Sequence, residues 1–221
     1  AIKYGYSCGE REKCKQWYQT LKNIDKSRWT WRAFSFSIDY LLAEWTSSEK
    51  EDYTIESILD LAKEYQEKIP DEEDAWLCEF EIYDGTNQRE KGVAVLEEAT
   101  AKFRFCPRCW LRYADILMDR GDYEKAEPII RKMCKNPKTT EKINASYMYF
   151  LDGQCKLQKL YNSDAYDNDE VDEKDVWAVY KAFKRALSAR GLRENIKSQI
   201  EEYILALSSE TGIEFPDEWR N

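Results

Sequence analysis

Two cysteines separated by two residues, in the sequence Cys106-Pro-Arg-Cys109, are the residues best suited to chemistry in this chain. Two thiolates at this spacing can share a tetrahedral zinc ion or, on a βαβ fold, form a redox-active disulfide. A zinc site needs two further ligands, and the chain contains no histidine. Cys8 and Cys14 have five residues between them, which is not the spacing of a zinc knuckle. Because the pair also lacks the strand context of a redox motif, we interpret it as packing in a turn between helices, and predict no metal and no cofactor.

Acidic side chains offer a second kind of chemistry. A run of acids within residues 162–175 could bind Ca²⁺, but it lacks the glycine and the terminal glutamate spacing of an EF-hand loop. We interpret it as a solvated loop or a docking strip for a basic partner. Its members are Asp164, Asp167, Asp169, Glu170, Asp172, Glu173 and Asp175.

Three further carboxylates, Glu81, Asp115 and Asp119, could act as a paired acid and base, as in glycosidases. Carboxylates on a polar helix face are more often simply solvated. A hydrolase is therefore the least favoured interpretation, and the chain is predicted not to be an enzyme. No glycine-rich phosphate loop and no Ser/His/Asp set is present in the sequence.

Composition narrows the class of protein. With 221 residues, of which 43% are apolar, the chain is long enough for a sizeable core, and its 8 Gly and 5 Pro argue against a turn-rich sandwich or barrel. Acids outnumber bases 43 to 34, which argues against a broad surface for nucleic acid or anionic membrane. Seven cysteines without a framework pattern indicate reduced thiols, and we predict a cytoplasmic protein.

The aromatic content, with 8 Trp and 15 Tyr, raises the possibility of a stacking platform for single-stranded nucleic acid. Basic interleaving is missing, and aromatics at helical spacing are more often core. On the first predicted helix, for example, Cys14, Trp17, Tyr18 and Leu21 share one face at i, i+3, i+4 and i+7. We therefore predict no direct contact with nucleic acid and none with a membrane.

A repeating pattern organises the middle of the chain. Each repeat contains two amphipathic helices joined by a short turn that includes Gly85 or Gly121. Small and aromatic positions recur at an interval of 34 residues, which is typical of helix–turn–helix arrays. The matched pairs are Trp76 with Trp110, Gly92 with Ala126, and Ala99 with Met133.

This pattern resembles the tetratricopeptide repeat family. The resemblance covers residues 73–137 well and the flanking pairs, 28–70 and 140–190, more loosely. It implies an all-α fold, a right-handed α–α superhelix of antiparallel helix pairs with a C-terminal covering helix.

The predicted organisation has three parts. Residues 1–24 form an N-terminal segment and helix, residues 25–191 form the repeats with an acidic insertion at 162–175, and residues 192–221 form the covering helix and tail. Outside the clear repeats, hydrophobic periodicity predicts helices over residues 10–21, 28–45, 53–69 and 193–208.

The resemblance implies a non-catalytic protein–protein interaction scaffold that holds a partner's peptide or helix in the groove lined by the first helix of each repeat. The specialised clamp for a C-terminal carboxylate needs Lys, Asn and Arg, and Arg112 alone fits. An acidic groove favours a basic or amphipathic segment instead. The predicted partner-binding residues are Leu77, Glu81, Leu111, Arg112, Asp115, Met118 and Tyr149.

Two other functions remain open besides the hydrolase. The chain begins at Ala1 rather than Met, and the second hypothesis is a sensor or regulatory domain of a larger protein, for example a transcriptional regulator whose DNA-binding part precedes Ala1. A helix-turn-helix pattern upstream would favour that interpretation. A self-associating structural protein is the other alternative, which size-exclusion chromatography with light scattering would test.

Overall fold

The computed structural model describes residues 10–47, 53–163, 166 and 171–216, and every regular element in these ranges is a helix. The predicted all-α class is therefore confirmed for the described part of the chain. Within it, no helix combines the length and apolar character needed to cross a bilayer. The predictions made for Cys8, Asp164, Asp167, Asp169 and Glu170 lie outside the described residues.

Ten α-helices and two short 3₁₀ segments, Lys26–Arg28 and Pro137–Glu141, make up the described elements. In chain order, the α-helices are α1 (Arg11–Lys22), α2 (Trp31–Thr46), α3 (Ile55–Lys68), α4 (Asp74–Gly85), α5 (Arg89–Lys102), α6 (Pro107–Asp119), α7 (Tyr123–Lys135), α8 (Ala145–Tyr161), α9 (Glu173–Ser188) and α10 (Glu194–Thr211).

Side-chain caps set several helix boundaries. The Thr54 hydroxyl accepts a hydrogen bond from the Ser57 amide and begins α3. The start of α2 was predicted at residue 28, but Asp25 caps the preceding 3₁₀ segment by accepting from the Ser27 amide. The helix therefore begins only at Trp31.

The helices divide into two compact units, residues 1–109 and 110–221, and the division falls within α6. In the first unit, α1 packs on α2, and α2 to α5 pack on their neighbours along the chain. Phe34 and Tyr65 stack in its core with ring centroids 5.1 Å apart. The three-part organisation predicted from the sequence stays a prediction.

The second unit is built around the pair α8 and α9, with α7 and α10 packed against it. The rings of Phe183 and Tyr203 stack at 5.6 Å between α9 and α10. After α10 the chain packs back against α9, where the rings of Phe215 and Tyr180 stack with their centroids 4.5 Å apart.

A glycine facing a phenylalanine brings two helices close together in each unit. In the first, a Cβ on Gly92 of α5 would lie 3.0 Å from the ring of Phe80 on α4. In the second, a Cβ on Gly153 of α8 would overlap the ring of Phe183 on α9. In both pairs the phenylalanine ring occupies the space that a side chain on the glycine would need. The two contacts therefore fix the spacing between the paired helices.

Candidate partner-binding surface

The predicted binding residues of the first unit, Leu77 and Glu81, lie on α4. This helix packs against α2, α3 and α5, and most of its side chains are buried. Leu77 is only 8% exposed, whereas Glu81 is exposed. The first unit therefore presents the predicted acid to solvent but little of the predicted apolar anchor.

In the second unit, three predicted residues form one strip on α6. Leu111, Asp115 and Met118 follow each other at i, i+4 and i+7, so they lie on one side of the helix, and each is half-buried. We call these residues the α6 strip. It places a carboxylate between two apolar side chains.

The carboxylate of the α6 strip has two polar neighbours. Oδ2 of Asp115 lies 3.6 Å from Nη1 of Arg112, which is one turn earlier on the same helix. Oδ1 accepts a hydrogen bond from the hydroxyl of Tyr147 on α8. Burial, and then this hydrogen bond, raise the pKa of Tyr147, so the phenol stays protonated and donates.

Tyr147 is placed by the cap at the start of α8. Oδ1 of Asn144 accepts from the Tyr147 amide at 2.9 Å, and Nδ2 donates to the carbonyl of Gly191 at 2.8 Å. Gly191 has a φ of 90°, and a Cβ there would press against Asn144. One asparagine therefore joins the start of α8 to the turn before α10 and orients Tyr147 toward α6.

Tyr149, the predicted binding residue on α8, lies in a different environment. The guanidinium of Arg185 on α9 lies 4.2 Å from the centre of its ring. Such a cation–π contact uses one ring face within the unit. The structure thus brings Tyr147 to Asp115, while Tyr149 contacts α9.

A small cavity of about 310 Å³ adjoins Leu111. Its other lining residues include Ser146, Tyr147 and Arg193. The Ser146 hydroxyl donates to the Ala186 carbonyl at 2.8 Å, so the cavity wall is held by hydrogen bonds between helices. The cavity extends the α6 strip with space for a side chain of a partner.

A second cleft of the same unit, about 460 Å³, lies between α7, α8 and α9. Several of its charged groups are paired with one another: Lys159 lies 2.6 Å from Glu127, and Lys156 pairs with Asp152. These pairs are partly exposed, so each contributes little and a charged ligand could replace them. The cleft is the weaker candidate because none of the predicted binding residues lines it.

The Cys106 and Cys109 thiols are fully buried at the start of α6. Sγ of Cys106 donates to the Ala99 carbonyl at 3.7 Å, and Sγ of Cys109 donates to the Glu73 carbonyl at 3.6 Å. The hydrogen bond with Cys106, followed by burial, raises the pKa of Cys109, whereas redox and metal-binding thiols need a lowered pKa. The described residues include no cluster of three or more metal-ligating side chains.

Two acids at the start of α4 hold the same start of α6 in the first unit. Oε2 of Glu73, the residue before α4, accepts from the backbone amides of Arg108 and Cys109 at 3.0 and 3.5 Å and so caps α6. Oδ1 of Asp74 lies 2.5 Å from Nη1 of Arg108. Burial raises the pKa of Glu73 despite these hydrogen bonds. Glu73 and Asp74 therefore have a structural role, because they hold the start of α6 against the start of α4.

Comparison with protein-family models, with curated proteins and with solved structures gives no match for this chain. Its functional assignment therefore rests on the surfaces described above. The sequence pattern identified the α6 strip, but it missed Tyr147 and Asn144. Asn144 carried an N-cap signal, being an asparagine directly before an apolar helix, whereas nothing in the sequence connects Tyr147 to Asp115.

Proposed function

We propose that this protein is a non-catalytic protein–protein interaction module of the tetratricopeptide type. In this proposal its helix pairs follow a right-handed superhelix, and the first helix of each pair carries the binding surface. We also propose a cytoplasmic location, which the free thiol state of all six cysteines in the described part of the chain supports.

The observation that carries the proposal is the α6 strip. Leu111 and Met118 are half-buried apolar side chains on either side of Asp115. Apolar anchors supply most of the affinity at protein interfaces, whereas charges set orientation and association rate. The arrangement suits a partner segment whose apolar residues cover Leu111 and Met118 while a basic residue approaches Asp115.

Asp115 is also organised before a partner arrives. Tyr147 and Arg112 hold its two oxygens in a fixed orientation, which lowers the ordering cost of binding. The pair between Arg112 and Asp115 lies at the surface, where such pairs contribute little, so a basic group of the partner can replace it at low cost. The partner predicted by this chemistry is a basic amphipathic helix or peptide.

Affinity capture from a lysate of the source cell tests the proposal. The wild type is compared with Leu111→Asp/Met118→Asp, which places two more acids on the strip. Leu205→Asp is the matched control, because Leu205 is 50% exposed on α10. Circular dichroism establishes that all three proteins are folded.

We expect a protein retained by the wild type and by Leu205→Asp, with at least about thirtyfold weaker binding by the double variant, since loss of two central apolar anchors at more than ~1 kcal/mol each exceeds ~2 kcal/mol. Equal retention by all three proteins would contradict the assignment of the strip. Failure of the wild type to retain any protein would contradict the function itself.

A further inference from the structure

Exposed apolar side chains are concentrated near the start of the described chain. Of the five large apolar residues that are well exposed in the described part, three fall between residues 17 and 31. Trp17 is 52% exposed, Ile24 is 38% exposed and Trp31 is 42% exposed. Scattered exposed apolar residues are normal, but a cluster containing two tryptophans marks an interaction site.

These tryptophans line a groove between α1 and α2. The groove has a volume of about 600 Å³, and its apolar walls are formed by Trp17, Leu21, Trp31 and Phe36. The rings of Trp17 and Phe36 lie 6.3 Å apart across it. We call this surface the α1–α2 groove.

The packing of α1 explains why Trp17 is exposed. Cys14 and Tyr18 take the buried positions against the rest of the first unit, and Tyr18 stacks on Tyr40 of α2 at 4.7 Å. The sequence pattern placed Trp17 on the same face as these residues. Only part of that face is covered in the described structure, and Trp17 borders the groove instead.

The charge beside the groove differs from that of the whole chain. Four basic residues lie between positions 20 and 32, against the single acid Asp25, in a protein whose net charge is -9. The carboxylate of Asp25 already accepts from the Ser27 amide at 2.8 Å. The basic residues are Lys22, Lys26, Arg28 and Arg32.

The cations lie close to the aromatic rings. The guanidinium of Arg32 is 5.0 Å from the centre of the Trp31 ring, and Nζ of Lys22 is 5.9 Å from the Tyr18 ring. Lys26 pairs with Glu64 of α3 at 2.6 Å. Arg32 and Asp39 are the charged residues among those that line the groove. The segment 22–29 joins the lining residues Leu21 and Thr30, and it carries the other three cations; we call this segment and Arg32 the basic rim.

We propose that the α1–α2 groove binds an acidic segment of a partner protein that carries aromatic or aliphatic anchors. Charge complementarity selects this occupant, because the basic rim attracts carboxylates, whereas the protein as a whole is acidic and repels them. The anchors would enter between Trp17 and Trp31, and the carboxylates would approach Arg32 and Lys22. This surface is separate from the α6 strip, and its partner has the opposite charge.

A peptide fits the groove better than single-stranded nucleic acid does. Base stacking needs open ring faces arranged along a charged track. Here the Trp31 ring faces Arg32 and the Trp17 ring faces Phe36, so part of each ring is already in contact. The anchor side chains of a peptide, by contrast, can pack against the ring edges that remain open and against the apolar wall of the groove.

The test uses the full chain and three matched probes. The first is a short fluorescent peptide with Glu and Asp around Phe and Leu anchors, the second has Lys at every acidic position, and the third is an oligothymidine of similar length. Binding is followed by fluorescence anisotropy and by the indole N–H signals of Trp17 and Trp31, which Trp17→Phe and Trp31→Phe assign. The variants are Trp31→Ala and Arg32→Glu, with Leu205→Ala and Lys138→Glu as exposed controls.

We expect the acidic peptide to bind, to shift both indole signals, and to bind roughly tenfold more weakly to Trp31→Ala and to Arg32→Glu, since central anchors usually exceed ~1 kcal/mol. Binding to Leu111→Asp/Met118→Asp should be unchanged, which separates this proposal from the proposed function. Three results would overturn the proposal: shifts of the Trp17 and Trp31 indole signals by the basic peptide that equal or exceed those by the acidic one, tighter binding of oligothymidine, or a dimer in light scattering that Trp31→Ala dissociates. Absence of binding by the acidic peptide would also overturn it.

Discussion

The α6 strip and the α1–α2 groove show two ways of presenting apolar side chains beside charge. On α6, Leu111 and Met118 flank an acid whose oxygens already have polar neighbours. In the groove, Trp17 and Trp31 lie beside a basic rim. The net charge of -9 therefore does not describe the local charge of the two surfaces where binding is expected.

The two surfaces also differ in how much apolar area they offer. Trp17 is 52% exposed and Trp31 is 42% exposed in the groove, whereas Leu111 and Met118 of the strip are more buried. Affinity at the groove should therefore depend mainly on burial of indole surface. Affinity at the strip should depend more on the orientation of Asp115.

The largest expected effect concerns the closely packed helix pair in each unit, α4 with α5 and α8 with α9. Gly153→Ala would force Phe183 to move in the core of the second unit and should cost about 2 kcal/mol, within the range typical of overpacking. Gly92→Ala meets Phe80 at 3.0 Å, so its cost should be smaller and partly offset by helix propensity. Urea denaturation measures both.

Gly85→Ala is the matched control, because a Cβ there makes only an ordinary contact with Leu42, at 3.7 Å. It should leave the free energy of unfolding unchanged or slightly higher. Equal costs for Gly153→Ala and Gly92→Ala would show that the two units do not differ in packing.

The cap that orients Tyr147 beside the α6 strip should give the next largest effect. Asn144→Ala removes the cap of α8 and the hydrogen bond to Gly191, and should destabilise by about 1–2 kcal/mol. Thr54→Ala, which removes a cap with one backbone partner in the first unit, should cost less. Thermal unfolding compares the two variants, and an equal or larger loss for Thr54→Ala would contradict the double role of Asn144.

The acid that caps α6 in the first unit should make stability depend on pH. The pKa of Glu73 is raised above 4.5 in the folded protein, so the native state holds its proton more tightly than the unfolded state. Its contribution to stability is therefore full below the unfolded pKa and is lost as pH rises through the folded pKa.

Glu73→Gln removes this titration while retaining an oxygen acceptor. Urea midpoints of wild type and variant, measured from acidic to neutral pH, should separate as pH rises, with the wild type losing stability relative to the variant. A difference between the two proteins that is constant with pH, or that changes in the opposite direction, would contradict the role of burial.

The smallest effect is expected for Arg112→Ala. Its ion pair with Asp115 spans 3.6 Å, and the arginine side chain is 45% exposed, so the free energy of unfolding should change by less than ~0.5 kcal/mol. The same change should alter the affinity for a basic peptide, since Arg112 competes for Asp115. A large loss of stability would mean that Arg112 supports the fold.

Much of the fold was predictable because helical periodicity is a strong signal. The helices predicted at 10–21 and 53–69 are found at Arg11–Lys22 and Ile55–Lys68. The predicted start of α2 was wrong because Asp25 caps a separate 3₁₀ segment, Lys26–Arg28, before the helix begins.

The surfaces were less predictable, since periodicity shows which residues share a face but not whether that face is covered. Trp17 follows the same spacing as the buried Tyr18, yet it is 52% exposed. Likewise, Tyr147 and Tyr149 are alike in sequence, and only tertiary contacts separate the one at Asp115 from the one at Arg185.

A crossed titration tests whether the chain has two separate binding surfaces, the α6 strip for a basic segment and the α1–α2 groove for an acidic one. Wild type, Leu111→Asp/Met118→Asp and Trp31→Ala are each titrated with the acidic and the basic amphipathic peptide. We expect Leu111→Asp/Met118→Asp to lose only the basic peptide and Trp31→Ala to lose only the acidic one. Loss of both peptides in one variant, or of neither in both, would contradict two surfaces of opposite preference.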